Sequence, residues 1–202
     1  MVMSSGLLSE SAIPLIDLAP IAHGGLSGAR EIAPALRHAL EETGFLMIVN
    51  HGVPQALIEQ TFAQAKRFHD QDMEAKRAVL MNAHNNGYMA MGRYNVSTSR
   101  VSEDAKPDMN EAFFIKRERW ADDPLALAGR RFAGPNVWPA GLPGFREAIL
   151  AYTETVDALG RRLLPVVALA LDLPPDTFDA AFAESQFSFR LSHYPCLEKQ
   201  PG

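Results

Sequence analysis

Gln186-Phe187-Ser188-Phe189-Arg190-Leu191-Ser192-His193-Tyr194-Pro195 alternates in character residue by residue. Phe187, Phe189 and Leu191 fall on one side, and Ser188, Arg190, Ser192 and Tyr194 on the other. Successive side chains of a strand point to opposite faces, so the stretch predicts a β-strand with one apolar wall and one polar wall. Arg and Tyr on the polar wall are what a pocket for an anionic small molecule needs.

Upstream of this strand the longest regular segment spans residues 142–172. Phe145, Ile149, Tyr152, Val156, Leu159, Leu163 and Val167 recur at helical spacing, enough for a spine helix behind a sheet. Pro165 predicts a kink there, because it lacks an amide proton and crowds the carbonyl four residues back. Pro174 and Pro175 end the helix, and a short helix at 176–183 precedes the strand.

Toward the amino terminus, IPLIDL at 13–18 is a strand candidate followed by a loop containing Gly24, Gly25 and Gly28. Ile32, Leu36, Ala39 and Leu40 predict a helix ending at Gly44, with Pro34 in its first turns. The apolar run FLMIVN at 45–50 suits a strand buried on both faces. Pro54 opens a helix with Ile58, Thr61, Phe62, Ala65 and Phe68 on one stripe, and Asp72 is placed to cap another at 73–80. Periodicity is lost over 81–110, a length that points to a functional loop, and EAFFIK at 111–116 returns to strand character.

Composition narrows the function. The 202 residues are 47% apolar and 21% charged, a globular mixture with a sizeable core. The net charge of −5 argues against a nucleic-acid or membrane binder, both of which need a basic face. The single cysteine, Cys196, excludes an internal disulfide and suits a reducing, cytoplasmic setting. No amino-terminal signal segment is visible, and residues 163–173 are too short to span a bilayer.

Local chemistry motifs are sparse. There is no glycine-rich phosphate loop and no Gly-x-Ser-x-Gly elbow. None of His23, His38, His51, His69, His84 and His193 has an acidic residue two positions later, the spacing an oxygenase metal site takes on a strand. His69 with Asp72 comes nearest and reads as a solvated surface pair. His51 reads as structural, bonding backbone in the turn that Gly52 enables after the buried strand.

Taken in order, IPLIDL, GFLMIVNHGVP, the NNGY segment, KPDMNEAFF, GPNVWP, the long helix and FRLSHYP resemble the amino-terminal half of the isopenicillin N synthase-like family. These are iron(II)- and 2-oxoglutarate-dependent dioxygenases, with a few oxidases that dispense with 2-oxoglutarate. The resemblance implies an α+β fold: an amino-terminal helical and strand region over residues 1–140, then over 141–202 the spine helix and first strands of a double-stranded β-helix, or jelly-roll, core left incomplete. It implies that Tyr194 contacts the 2-oxoglutarate carboxylate, with Ser192 where many members carry Asn and Arg190 at a frequently basic position on the same face. Ser192 is equally readable as a polar position on a barrel wall. Tyr88, Met89, Met91 and Tyr94 are candidates to line the substrate pocket, exposed or core roles being the alternative.

By the resemblance, the family's iron ligands, His-x-Asp and a distant His, and its Arg-x-Ser pair normally come after the Tyr-Pro strand, and none of them follows that strand in this sequence. Two expectations follow. In one, the chain is part of an oxygenase that hydroxylates, desaturates or cyclises a small molecule, with iron(II) and 2-oxoglutarate needed by the full-length protein, no catalytic or metal residue in this chain and neither cofactor bound by it alone. The missing motifs would then lie in the next ~100 residues, an ordinary domain's length. In the other, the chain is a non-catalytic or vestigial partner-binding module. Either way the last strand is expected to present an open sheet edge that invites self-association.

Overall fold

The computed structural model describes residues 13–92 and 109–196. In chain order the elements are β1 (Leu15–Asp17), α1 (Ala19–Gly24), α2 (Leu26–Glu42), β2 (Met47–Val49), α3 (Gln55–His69), α4 (Met73–Arg77) and β3 (Gly87–Met89). There follow β4 (Glu111–Lys116), α5 (Pro124–Leu127), α6 (Phe145–Ala170), α7 (Asp179–Phe182) and β5 (Ser188–His193). Packing divides the chain into two compact units that interleave along the sequence, Met1–Val53 with Thr155–Glu184, and Pro54–Glu154 with Ser185–Gly202. The boundary expected at residue 140 falls inside the second of these. The class is α+β with a partial sheet.

In the first unit β1 and β2 pair in parallel, Ile16 opposite Ile48. Two expectations are corrected here. The segment after β1 is a helix, α1, with Pro20 in its first turn, and Gly28 of α2 lies so close to it that an added Cβ would collide with the Pro20 carbonyl. Pro34 sits inside α2 instead of opening it. Burial of the stripe Ala29, Ile32, Ala33, Leu36 and Ala39 outweighs the ~3 kcal/mol that an internal proline costs.

The run at 45–50 yields a strand of only three residues, not one buried on both faces. Leu46 and Ile48 pack against the core of Ile16, Leu18, Ile32, Leu36 and Val166, whereas Phe45 and Met47 alternate outward and are exposed. The turn that follows holds the expected histidine. Asn50 and Gly52 both have positive φ, and the Val53 amide donates to His51 Nδ1 at 3.0 Å. Arg162 donates to the His51 carbonyl at 2.9 Å, completing its backbone role.

The second unit is built on an antiparallel sheet of order β3-β4-β5. β3 lies in the stretch expected to be irregular, three residues being too few for a periodic signal. In β4 and β5, Glu111 pairs with His193, Phe113 with Leu191 and Ile115 with Phe189. The alternate pairs are Ala112 with Ser192, Phe114 with Arg190 and Lys116 with Ser188. The first set faces a core shared with Tyr88, with Phe68 of α3, and with Phe145 and Ile149 of α6. Rings stack closely there, Phe68 to Phe113 at 4.6 Å between centroids. α6 runs unbroken through Pro165. Asp72 caps α4 as expected, accepting the Ala75 amide at 2.7 Å.

Candidate functional site: two faces of one strand

The two faces of β5 differ as its alternation requires. On the polar face a cavity of about 460 Å3 opens between Met89, Phe114, Lys116, Phe132, Ser188 and Arg190. Arg190 Nη2 donates to Asn110 Oδ1 at 2.8 Å, and its guanidinium lies 5.3 Å from the Phe114 ring centre. Lys116 is only 4% exposed. Its ammonium donates to the Asn85 carbonyl at 3.0 Å and Ser188 Oγ at 2.9 Å, beside the Phe114 and Phe132 rings. Burial pushes the Lys116 pKa down.

The residues singled out from sequence separate on this frame. Arg190 lines the cavity, while Ser192 lies two positions along the same face and Tyr194 just beyond β5, 71% exposed. Neither of the latter two borders the cavity. Met89 lines it, but Tyr88 does not: it is fully buried on the core side of β3. Met91 is exposed in the turn after β3, and Tyr94 lies outside the described residues.

The opposite face holds a cluster that sequence reasoning missed. His69, expected as a surface partner of Asp72, is buried at the end of α3 and meets Glu111 of β4 instead. Glu111 is 4% exposed, and its carboxylate gathers every polar group nearby. Oε1 faces His69 Nδ1 at 3.2 Å, His193 Nδ1 at 2.9 Å and Lys76 Nζ at 3.2 Å. Oε2 accepts from Lys76 at 2.9 Å and from the Tyr88 hydroxyl. His69 Nε2 reaches across to the Leu191 carbonyl at 3.1 Å.

The electrostatics follow from these contacts. Burial pushes the Glu111 pKa up, but hydrogen bonds from Tyr88, His193 and Lys76 outweigh it and hold the carboxyl at about 2. Burial, reinforced by donation to Glu111, keeps the proton on Tyr88 well above the usual phenol range. Burial lowers His69, against the pull of the Leu191 carbonyl and Glu111. Parity was the available signal: Glu111 and His193 fall on the apolar side of their strands, where a polar residue needs a partner.

Residues 13–141 match the family model described as the N-terminal region of the non-haem dioxygenase in morphine synthesis. A 2-oxoglutarate-Fe(II) type oxidoreductase, hxnY of Emericella nidulans, is 29% identical over 95% of this chain and 55% of its own length. The chain belongs to the iron(II)/2-oxoglutarate-dependent dioxygenase family. Azadirone synthase of Melia azedarach is 37% identical over 73% of the chain and 43% of its own length. Among solved structures, that of a full-length Neurospora crassa protein in complex with alpha-KG superposes with a TM-score of 0.74 at 26% identity, covering 96% of this chain and 57% of that one. The chain spans about half the length of the curated dioxygenases it matches.

Dioxygenases of this family use iron, and among the described residues one group has the donor types for a metal, His69, Glu111 and His193, with ligand atoms within 4.8 Å of one another. The group does not fit an iron in this arrangement. Both Glu111 oxygens are engaged by the Lys76 ammonium, which already balances the carboxylate charge, and Tyr88 takes a further lone pair. A second cation beside Lys76 would meet like-charge repulsion in a buried site. The cluster reads as a hydrogen-bond hub, buried at His69, Lys76 and Glu111 and reaching solvent at His193, that ties α3 and α4 to the sheet.

Proposed function

We propose that the protein works as an iron(II)- and 2-oxoglutarate-dependent oxygenase on a small organic substrate, with β5 as one wall of the cosubstrate and substrate site. In this reading β3, β4 and β5 are the first strands of a jelly-roll core, α6 is its spine, and the iron is held by residues other than the His69–Glu111–His193 group. The observation that carries it is the split character of β5: a core face behind it whose buried charges are paired, and an open polar face in front, in a chain of this family.

Two hydroxyl donors stand at the carboxyl end of that face. Ser192 and Tyr194 would donate to the far carboxylate of 2-oxoglutarate, apart from the cavity that Arg190 lines. Serine reaches less far than the amide that many relatives carry, so Tyr194 bears more of the contact. Phe114 and Phe132 give the adjoining cavity apolar walls.

The test is direct. Succinate release from 2-oxoglutarate by the full-length protein should require added iron(II), oxygen and a co-substrate, and its absence under all three overturns the assignment. Tyr194→Phe should raise the 2-oxoglutarate KM roughly five- to tenfold, the loss of about one hydrogen bond to a charged group, with kcat and melting temperature little changed. An unchanged KM removes Tyr194 from the site.

A further inference from the structure

Lys116 is a buried cation without a counter-ion among the described residues. No carboxylate of theirs lies within ion-pair distance of it or of Arg190. Lys116 is met only by two neutral oxygens and two aromatic rings, and Arg190 by the Asn110 amide oxygen and the Phe114 ring. Arg190 is exposed on the cavity wall, so the cost falls on Lys116: buried charges are as a rule paired, because burial costs several kcal/mol that neutral partners do not fully return. The same unit contains the paired case, Lys76 on Glu111. An ammonium has three donors, and the Asn85 carbonyl and Ser188 Oγ use two of those on Lys116.

We propose that Lys116 and Arg190 together bind the carboxylate of the substrate, an organic acid whose apolar or aromatic body lies against Phe114, Phe132 and Met89. The geometry favours this over a second 2-oxoglutarate contact. Both cations line the cavity, whereas Ser192 and Tyr194 lie outside it. About 460 Å3 suits a ligand with a substantial hydrocarbon body, and the lining is mostly apolar apart from the two cations. Phe114 stands next to both, so its ring packs the ligand's body at the point where the charges hold its head. The inference rests on the reading of this face as the substrate side, and names the class of substrate.

The experiment compares 3-phenylpropanoate with the neutral 3-phenylpropanamide by calorimetric titration of the purified protein, without iron and without turnover. The acid should bind at least about tenfold more tightly than the amide, near 1.4 kcal/mol, a modest value for a charge-assisted contact. Lys116→Met and Arg190→Gln should each abolish that preference while melting cooperatively, and saturating 2-oxoglutarate should leave the affinity for the acid unchanged. Equal binding of acid and amide, no binding of the acid at about 10 mM, a preference that survives both substitutions, or displacement of the acid by 2-oxoglutarate each overturns the proposal. A protein that fails the succinate assay yet passes this one refutes the oxygenase reading alone.

Discussion

Two buried lysines on opposite sides of one sheet meet opposite electrostatic surroundings. Lys76 and Lys116 are 6% and 4% exposed. Lys76 closes on Glu111, which also accepts from Tyr88 and His193, so the buried carboxylate has its counter-charge and its donors within the cluster. Lys116 lies beside Arg190 on a cavity wall, with no acid among the described residues near either. A polar cluster that satisfies itself does structural work, and one left electrostatically open is a place where a ligand completes the arrangement.

The contrast is broken most severely by Glu111→Gln. It leaves the Lys76 ammonium buried without its partner and should destabilise the protein by about 3–5 kcal/mol in denaturant unfolding. Lys116→Met, at equal burial, should cost less than about 1.5 kcal/mol, since only neutral partners are lost. Equal losses in the two variants would mean that the faces do not differ in this way.

Acid should act on the same hub next. The folded Glu111 pKa of about 2 lies below its ordinary value of 4.5, so its contribution is complete above pH 4.5 and is lost as pH falls toward 2. The full effect is on the order of 3 kcal/mol. His69 is also lowered in the folded state, so it adds to the acid loss, beginning as pH drops through its ordinary 6.5. Stability measured against pH should show this slope in the native protein and lose its lower limb in Glu111→Gln.

Smaller changes sharpen the picture. Tyr88→Phe removes one donor from a carboxylate that keeps Lys76 and His193, and should cost about 1–2 kcal/mol, seen as a lower melting temperature. The weakest expected effect is self-association through the outer edge of β5, which among the described residues pairs only with β4. Light scattering should show mass rising with protein concentration, and a mass that stays monomeric removes the edge as a contact.

What the sequence made legible was local. The period-two alternation of β5 and β4 survives because it needs only neighbouring residues, and the Asp72 cap and the His51 turn were readable for the same reason. α1 and the interior Pro34 were hidden because packing of apolar stripes overrode local glycine and proline signals. The hub was hidden by distance, Glu111 lying 42 residues from His69 and 82 from His193. Only the sheet register brings them together, although the parity of Glu111 and His193 already marked both as polar groups on apolar faces. The cavity depends on Phe132 and Asn85, in segments without periodicity, and was announced only by Ser188 and Arg190 on the polar wall and by Met89.

The bond from His69 Nε2 to the Leu191 carbonyl carries one more consequence. Leu191 is the residue between Arg190 and Ser192, so this bond fixes, from behind, the peptide that aims both of their side chains forward. Edge strands ordinarily fray, and their amides exchange with solvent by small local openings. With Leu191 pinned to α3, the middle of β5 should exchange its amide protons only when α3 itself releases, so the strand that borders the cavity keeps time with the core instead of with the edge.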